Sequence, residues 1–142
     1  MIVLGLDTAT RESSVALVEL DGDGGPRVLA ARSQGSDAHG DVLVALIDEL
    51  VAEAGLTPAA VGAIAVGAGP GSFTGLRIGL ATGKGLAFAL GTPLWLASSL
   101  AALAVGAGVD GLVAQLSSTY VAASRGCRPL PGRRGRARGR GG

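Results

Sequence analysis

One cysteine, Cys127, and one histidine, His39, are all the sequence offers of the commonest metal-binding and nucleophilic side chains. No disulfide can close within the chain, and no cysteine-based zinc site can be assembled. Aromatic residues make up only 3% of a chain that is 48% hydrophobic, so its core must be packed from Ala, Val, Leu and Ile. The opening Met1-Ile2-Val3-Leu4-Gly5-Leu6-Asp7 lacks a basic segment, and its apolar run is too short for a secretory leader. A cytoplasmic protein is the expectation. Gly85 to Val109 carries no charge, yet Gly91-Thr92-Pro93 interrupts it and Ser98-Ser99 follows. A helix end, a short strand and a new helix explain this stretch better than a membrane span, which needs about 20 unbroken apolar residues.

What is present points to one domain. The 142 residues suffice for a hydrophobic core, and 25 glycines suggest tight turns and close helix approaches. The net charge of +1 averages two unlike parts. Residues 1–124 hold all 11 acids and five bases, whereas the last 18 residues hold seven arginines and no acid. A mildly acidic body therefore precedes a strongly basic end.

Hydrophobic periodicity predicts the elements. Ile2–Leu6 reads as a buried strand ending in the polar Asp7-Thr8-Ala9-Thr10. Strands over Ser13–Leu20 and Arg27–Arg32, joined at Asp21-Gly22-Asp23-Gly24-Gly25, complete a meander. From Gly40 to Ala54, Leu43, Leu46, Ile47, Leu50 and Val51 recur at helical spacing, and Gly55 ends that helix. Val61–Val66 is a second buried strand. Gly69-Pro70-Gly71-Ser72-Phe73-Thr74-Gly75 follows it and leads into a Gly/Ala-rich helix to Leu90, capped by Ser72 or Thr74. A short strand at Leu94–Leu96, a helix from Ser98 or Ser99 to Val105 and a fading strand at Gly111–Leu116 complete the reading. The order βββαβαβα implies an α/β class with a mixed sheet and flanking helices.

The glycine-rich block invites a phosphate reading, because free backbone N–H groups at a helix N-terminus attract anions. Asp7, Thr8, Gly69, Gly71, Ser72 and Thr74 form the candidate anion-binding set. The standard phosphate motifs do not fit. A P-loop built on Gly83-Lys84 would need a glycine where Ile78 stands and a hydroxyl where Gly85 stands. The dinucleotide pattern would need a glycine in place of Thr74. Nor does Ser72 sit in a nucleophile elbow, since Pro70 and Thr74 occupy the flanking glycine positions. His39 has no catalytic partner in view and reads as a solvated or capping residue. In the later helix, Gly79, Gly83 and Ala87 recur every fourth residue, a surface suited to close helix packing within the fold or across a dimer.

Together these residues resemble a known family. Ile2-Val3-Leu4-Gly5-Leu6-Asp7-Thr8-Ala9 with Ser13-Ser14-Val15-Ala16-Leu17 is similar to the opening of the bacterial TsaB (YeaZ) proteins. So is the block from Val66 through Gly69-Pro70-Gly71-Ser72-Phe73-Thr74-Gly75 to Gly79, continuing through Lys84-Gly85-Leu86-Ala87. The resemblance covers roughly residues 1–110. It implies the first of two actin-like (ASKHA, ribonuclease H-like) lobes, here about residues 1–114.

The resemblance further implies a non-catalytic scaffold with no cofactor. It would pair with a TsaD-like subunit and act with a TsaE-like ATPase in threonylcarbamoyl transfer to a tRNA adenosine. It would pair with itself when alone and meet tRNA only indirectly. The pairing would use the helices Gly40–Ala54 and Thr74–Leu90, with Leu43, Leu46, Ile47 and Leu50 on one and Leu76, Gly79, Leu80 and Gly83 on the other. Ala9 stands where ATP-using relatives have the glycine of an Asp-x-Gly-Thr loop. Beyond about Gly111 the chain departs from the family, and the Arg/Gly-rich 115–142 replaces a second lobe. That segment reads as disordered. It either contacts RNA phosphates or reflects GC-rich codons read out of frame. The rival reading is a small nucleotide- or anion-binding enzyme that uses Asp7 and the Gly69–Gly75 loop.

Overall fold

The structure, a computed structural model, describes residues 1–21, 25–35 and 40–106. Chain order gives β1 (Ile2–Asp7), β2 (Glu12–Asp21), β3 (Gly25–Gly35), α1 (Gly40–Glu53), β4 (Val61–Gly67), α2 (Phe73–Leu90), β5 (Leu94–Ala97) and α3 (Ser99–Gly106). A single 3₁₀ turn at Pro58–Ala60 precedes β4. The expected order βββαβαβα is borne out. His39, the strand expected at Gly111–Leu116 and the arginine-rich end lie outside the described residues.

The five strands form one sheet in the order β3-β2-β1-β4-β5. β1, β2 and β3 pair antiparallel as a meander, and β1, β4 and β5 run parallel. The register explains the core. Leu4 lies opposite Leu17 on one side and Ile64 on the other, and Ile64 lies opposite Leu94. Because side chains alternate across a sheet, this row projects to one face. Both long helices cover that face. Leu43, Leu46, Ile47, Leu50 and Val51 of α1 join Leu4, Leu6, Val15, Leu17, Ile64 and Val66 in one buried cluster. Each fully buried Leu, Ile or Val contributes about 1.5–3 kcal/mol, so this cluster is the main source of stability.

Two elements differ from the sequence expectation. β3 extends to Gly35, past the expected Arg32, because its ladder with β2 continues through Ser33 and Gln34. These polar residues keep backbone pairing without an apolar alternation that would reveal it. α2 begins at Phe73, where the Ser72 hydroxyl oxygen accepts the Gly75 N–H at 3.3 Å. At its other end Gly91 closes the helix in the left-handed region with φ 66°, a conformation that costs glycine nothing.

The opposite sheet face is built differently. Gly5 lies between Ala16 and Ala65, and Ala65 lies opposite Trp95. Small side chains leave a broad concavity of about 480 Å³, bordered by Asp7, Ser14, Ser98 and Ala102.

Candidate functional site

The β1 strand delivers Asp7, Thr8 and Ala9 to the start of α2, and the glycine-rich block receives them in backbone contact. Asp7 Oδ1 accepts the Ala9 N–H at 2.7 Å, which turns the chain sharply after the strand. The Ala9 carbonyl then accepts the Ser72 N–H at 2.7 Å. Thr8, only 4% exposed, donates its hydroxyl to the Gly75 carbonyl at 2.7 Å. A side chain at Gly71 would collide with Ala9, and one at Gly75 with the Thr8 carbonyl. Gly79 faces the Thr8 hydroxyl, and Gly83 faces Val66.

The structure therefore brings Thr8, Gly71, Ser72 and Thr74 of the candidate anion set close together, yet it fills their centre with its own backbone. The Gly69 N–H is taken by the buried Ser99 hydroxyl at 3.1 Å. The Ser72 and Gly75 N–H groups are taken by Ala9 and by the Ser72 side chain. A small hydroxyl-lined hollow of about 190 Å³ remains among Thr8, Thr10, Ser13, Ser72 and Thr74. Asp7 points away from it, toward Gly67 and the concavity on the other sheet face. Among the described residues no group of three or more His, Cys, Asp or Glu stands ready for a metal.

The small-residue row of α2 is used within the fold. Gly79, Gly83 and Ala87 are buried against β1 and β4, where they let the helix lie close to the sheet. The apolar stripe of α1 is used the same way. Leu43, Leu46, Ile47 and Leu50 are between 0% and 7% exposed. Within the fold the sheet buries these four, and Ile47 also lines the groove between the helices. Gly79 and Gly83 are buried against the sheet, while Leu76 and Leu80 are half-buried along the flank of α2.

The outer surface of the two helices is instead formed by other residues. Val44 of α1 is 50% exposed. On α2, Phe73 is 74% and Phe88 92% exposed, and these are the two phenylalanines of the chain. Arg77, Ala81 and Lys84 lie between them on the same stripe. The Arg77 guanidinium sits 5.4 Å from the centre of the Phe73 ring, a cation–π contact. A groove of about 90 Å³ between the helices is lined by Val44, Ile47, Val51, Leu86 and Leu90, with Asp48 at its rim. At the sheet edge, Arg32 of β3 donates to Glu53 of α1 at 2.6 and 3.0 Å, and this hydrogen bond raises the guanidinium pKa above its ordinary value. The exposure of Phe88 was legible as a helical offset from Gly79 and Gly83. Its significance appears only once those glycines are seen to face the sheet.

Comparison with known proteins places this architecture. The sequence profile of the family described as TsaD, tRNA N6-adenosine threonylcarbamoyltransferase, matches residues 32–121. The match thus continues past Gly111. The tRNA threonylcarbamoyladenosine biosynthesis protein TsaB of Haemophilus influenzae is 39% identical over 104 residues, covering 73% of this chain and 42% of that protein. A tRNA N6-adenosine threonylcarbamoyltransferase of Rhodopseudomonas palustris is 36% identical over 110 residues, 66% of this chain and 30% of the relative. The solved structure of YeaZ from Pseudomonas aeruginosa superposes with a TM-score of 0.67 at 39% identity, covering 78% of this chain and 51% of that one. The chain thus spans less than half the length of the curated relatives it matches. Its mixed sheet with flanking helices is the actin-like, ribonuclease H-like fold of these proteins. The chain belongs to the tRNA N6-adenosine threonylcarbamoyltransferase (TsaD) family and is a homologue of its TsaB (YeaZ) members.

Proposed function

We propose that the protein is a non-catalytic partner subunit in the biosynthesis of tRNA threonylcarbamoyladenosine. It binds a TsaD-like subunit through the outer face of α1 and α2. The observation that carries this reading is the placement of both phenylalanines, 74% and 92% exposed, on one stripe of one helix. Burying such a ring normally stabilises a protein, and exposed aromatic anchors beside an apolar groove are typical of surfaces that await a partner. The pairing surface of the two helices is thus Val44, Phe73, Ala81 and Phe88, with Leu76 and Leu80 on its flank. A TsaE-like ATPase joins the assembly through the TsaD-like subunit, and tRNA is met through the complex. Alone, the chain pairs with itself.

Two facts support a scaffold over the rival anion-binding enzyme. The Gly69, Ser72 and Gly75 N–H groups of the loop are bonded within the chain, and Asp7 faces away from them. No helix among the described residues is long and apolar enough to cross a membrane. Co-purification with the host's TsaD-like protein tests the reading. Wild-type chain is retained and Phe88→Asp is lost; absence of wild-type retention overturns the proposal.

A further inference from the structure

Among the described residues the sheet has two edges, and the sequence treats them differently. β3 forms one edge and carries Pro26, Arg27 and Arg32, the last tied to Glu53. Proline and charge of this kind keep an edge strand from accepting a further strand. β5 forms the other edge as Leu94-Trp95-Leu96-Ala97, and no charged residue occurs from Gly85 to Val109. Trp95 is 64% and Leu96 63% exposed.

The backbone of β5 shows what this edge can hold. The Ile64 N–H donates to the Pro93 carbonyl at 3.0 Å, and the Ala68 N–H to the Ala97 carbonyl at 2.8 Å. Backbone groups alternate in direction along a strand, so Pro93, Trp95 and Ala97 face β4. Leu94 and Leu96 therefore aim their N–H and C=O groups at the open edge. The next outward positions are engaged within the chain. The Thr92 N–H donates to the Ala87 carbonyl at 3.0 Å, and the Ser98 carbonyl accepts the Ala102 N–H at 3.0 Å. A second β5 running antiparallel satisfies both residues in one register, with Leu94 opposite Leu96 and Trp95 opposite Trp95.

We propose that the β5 edge is an interaction surface for a second copy of the chain, joined antiparallel about a two-fold axis at Trp95. The two sheets then continue into one. The paired indoles lie on the small-residue face, where Trp95 is opposite Ala65. Neither edge brings a charge to oppose the contact. Covering Trp95 and Leu96 of both copies removes on the order of 600 Å² from water, below the roughly 1,000 Å² of a stable interface. The pair is accordingly weak, with a dissociation constant of about 100 µM or above. This contact is separate from the α1–α2 face and stands whether or not that face binds a TsaD-like subunit.

Trp95 is the one tryptophan of the chain, so its fluorescence reports this edge directly. Emission of the full chain shifts to shorter wavelength as its concentration rises from about 1 µM to about 1 mM. Leu96→Pro removes an outward N–H and no bond to β4, a change an edge strand tolerates, and moves the midpoint at least about tenfold higher. Circular dichroism verifies its fold. Phe88→Asp, on the outer face of α2, leaves the shift in place. Cross-linking reads the orientation independently. In a Cys127→Ser background, Trp95→Cys forms a disulfide-linked dimer, because α-carbons of such a pair lie about 4.5 Å apart. Val28→Cys on the β3 edge, where Val28 is 63% exposed, does not. Emission that stays at long wavelength up to about 1 mM overturns the proposal. So does a short-wavelength emission at every concentration, which means that the chain's own residues cover the edge. A shift abolished by Phe88→Asp assigns the pairing to the α1–α2 face and overturns it too, as does equal cross-linking of the two cysteine variants.

Discussion

The carbonyl oxygen of Ala9 sits against the α-carbon of Gly71 and accepts the Ser72 N–H at 2.7 Å. This contact joins the loop after β1 to the start of α2 and explains why the block at 69–75 is rich in glycine. The same closeness recurs one and two turns later, where Gly75 meets the Thr8 carbonyl and Gly79 the Thr8 hydroxyl. A loop that looks like a phosphate cradle in sequence is a seat for the chain's own backbone.

Gly71→Ala should therefore destabilise the protein by about 1–3 kcal/mol, the usual cost of overpacking against backbone that cannot move aside. Gly85 is the control, since a side chain there meets nothing within 4 Å. Gly85→Ala should be neutral or stabilise by up to about 1 kcal/mol through helix propensity. Urea unfolding of both variants checks the pair, and the reverse ordering refutes the packing account.

Leu50 is fully buried at 0% exposure, whereas Val44, six residues earlier on the same helix, is half exposed. Leu50→Ala should cost about 2–5 kcal/mol, combining lost transfer energy with a cavity. Val44→Ala should stay within about 1 kcal/mol. For the same reason Leu46→Asp is a poor probe of partner binding: at 7% exposure it would place a charge in the core and unfold the chain.

Phe88→Asp should leave the unfolding midpoint nearly unchanged, because the ring is 92% exposed. It should lower affinity for a TsaD-like partner at least about tenfold, as expected for an aromatic anchor. Calorimetric titration beside a urea melt separates the two effects. A fall in stability equal to the loss of binding would show that the ring acts within the fold.

Ser72→Ala should cost about 1 kcal/mol by removing the side-chain acceptor for the Gly75 N–H. Ser72→Asp should retain most of that stability, since a carboxylate caps equally well and favours the helix N-terminus. Equal losses in both variants, measured by thermal unfolding, would place the role of Ser72 elsewhere.

Much of the fold was legible in sequence because its signals are local. The run Ile2–Leu6, the helical recurrence of Leu43, Leu46, Ile47 and Leu50, and the turn residues around Gly55 and Gly91 each declare an element within a few residues. The candidate site was legible only in part. Thr8, Gly71, Ser72 and Thr74 do meet, but the sequence carries no mark of the Ala9 carbonyl that fills the space between them.

By itself, then, the sequence determined the order βββαβαβα, the helix ends and the fact that something approaches the glycine block closely. A glycine tells of a close approach without naming what approaches. An apolar stripe tells that a helix is buried on one side without saying whether its own sheet or another chain buries it. Tertiary structure decided both. The β1-β4 pairing lays Thr8 and Val66 beneath Gly79 and Gly83, and the sheet takes the whole leucine stripe of α1. Burial on that side is what turns Phe88 outward, since it is offset from Gly79 and Gly83 by roughly half a helical turn, while Phe73 is exposed at the first position of the helix.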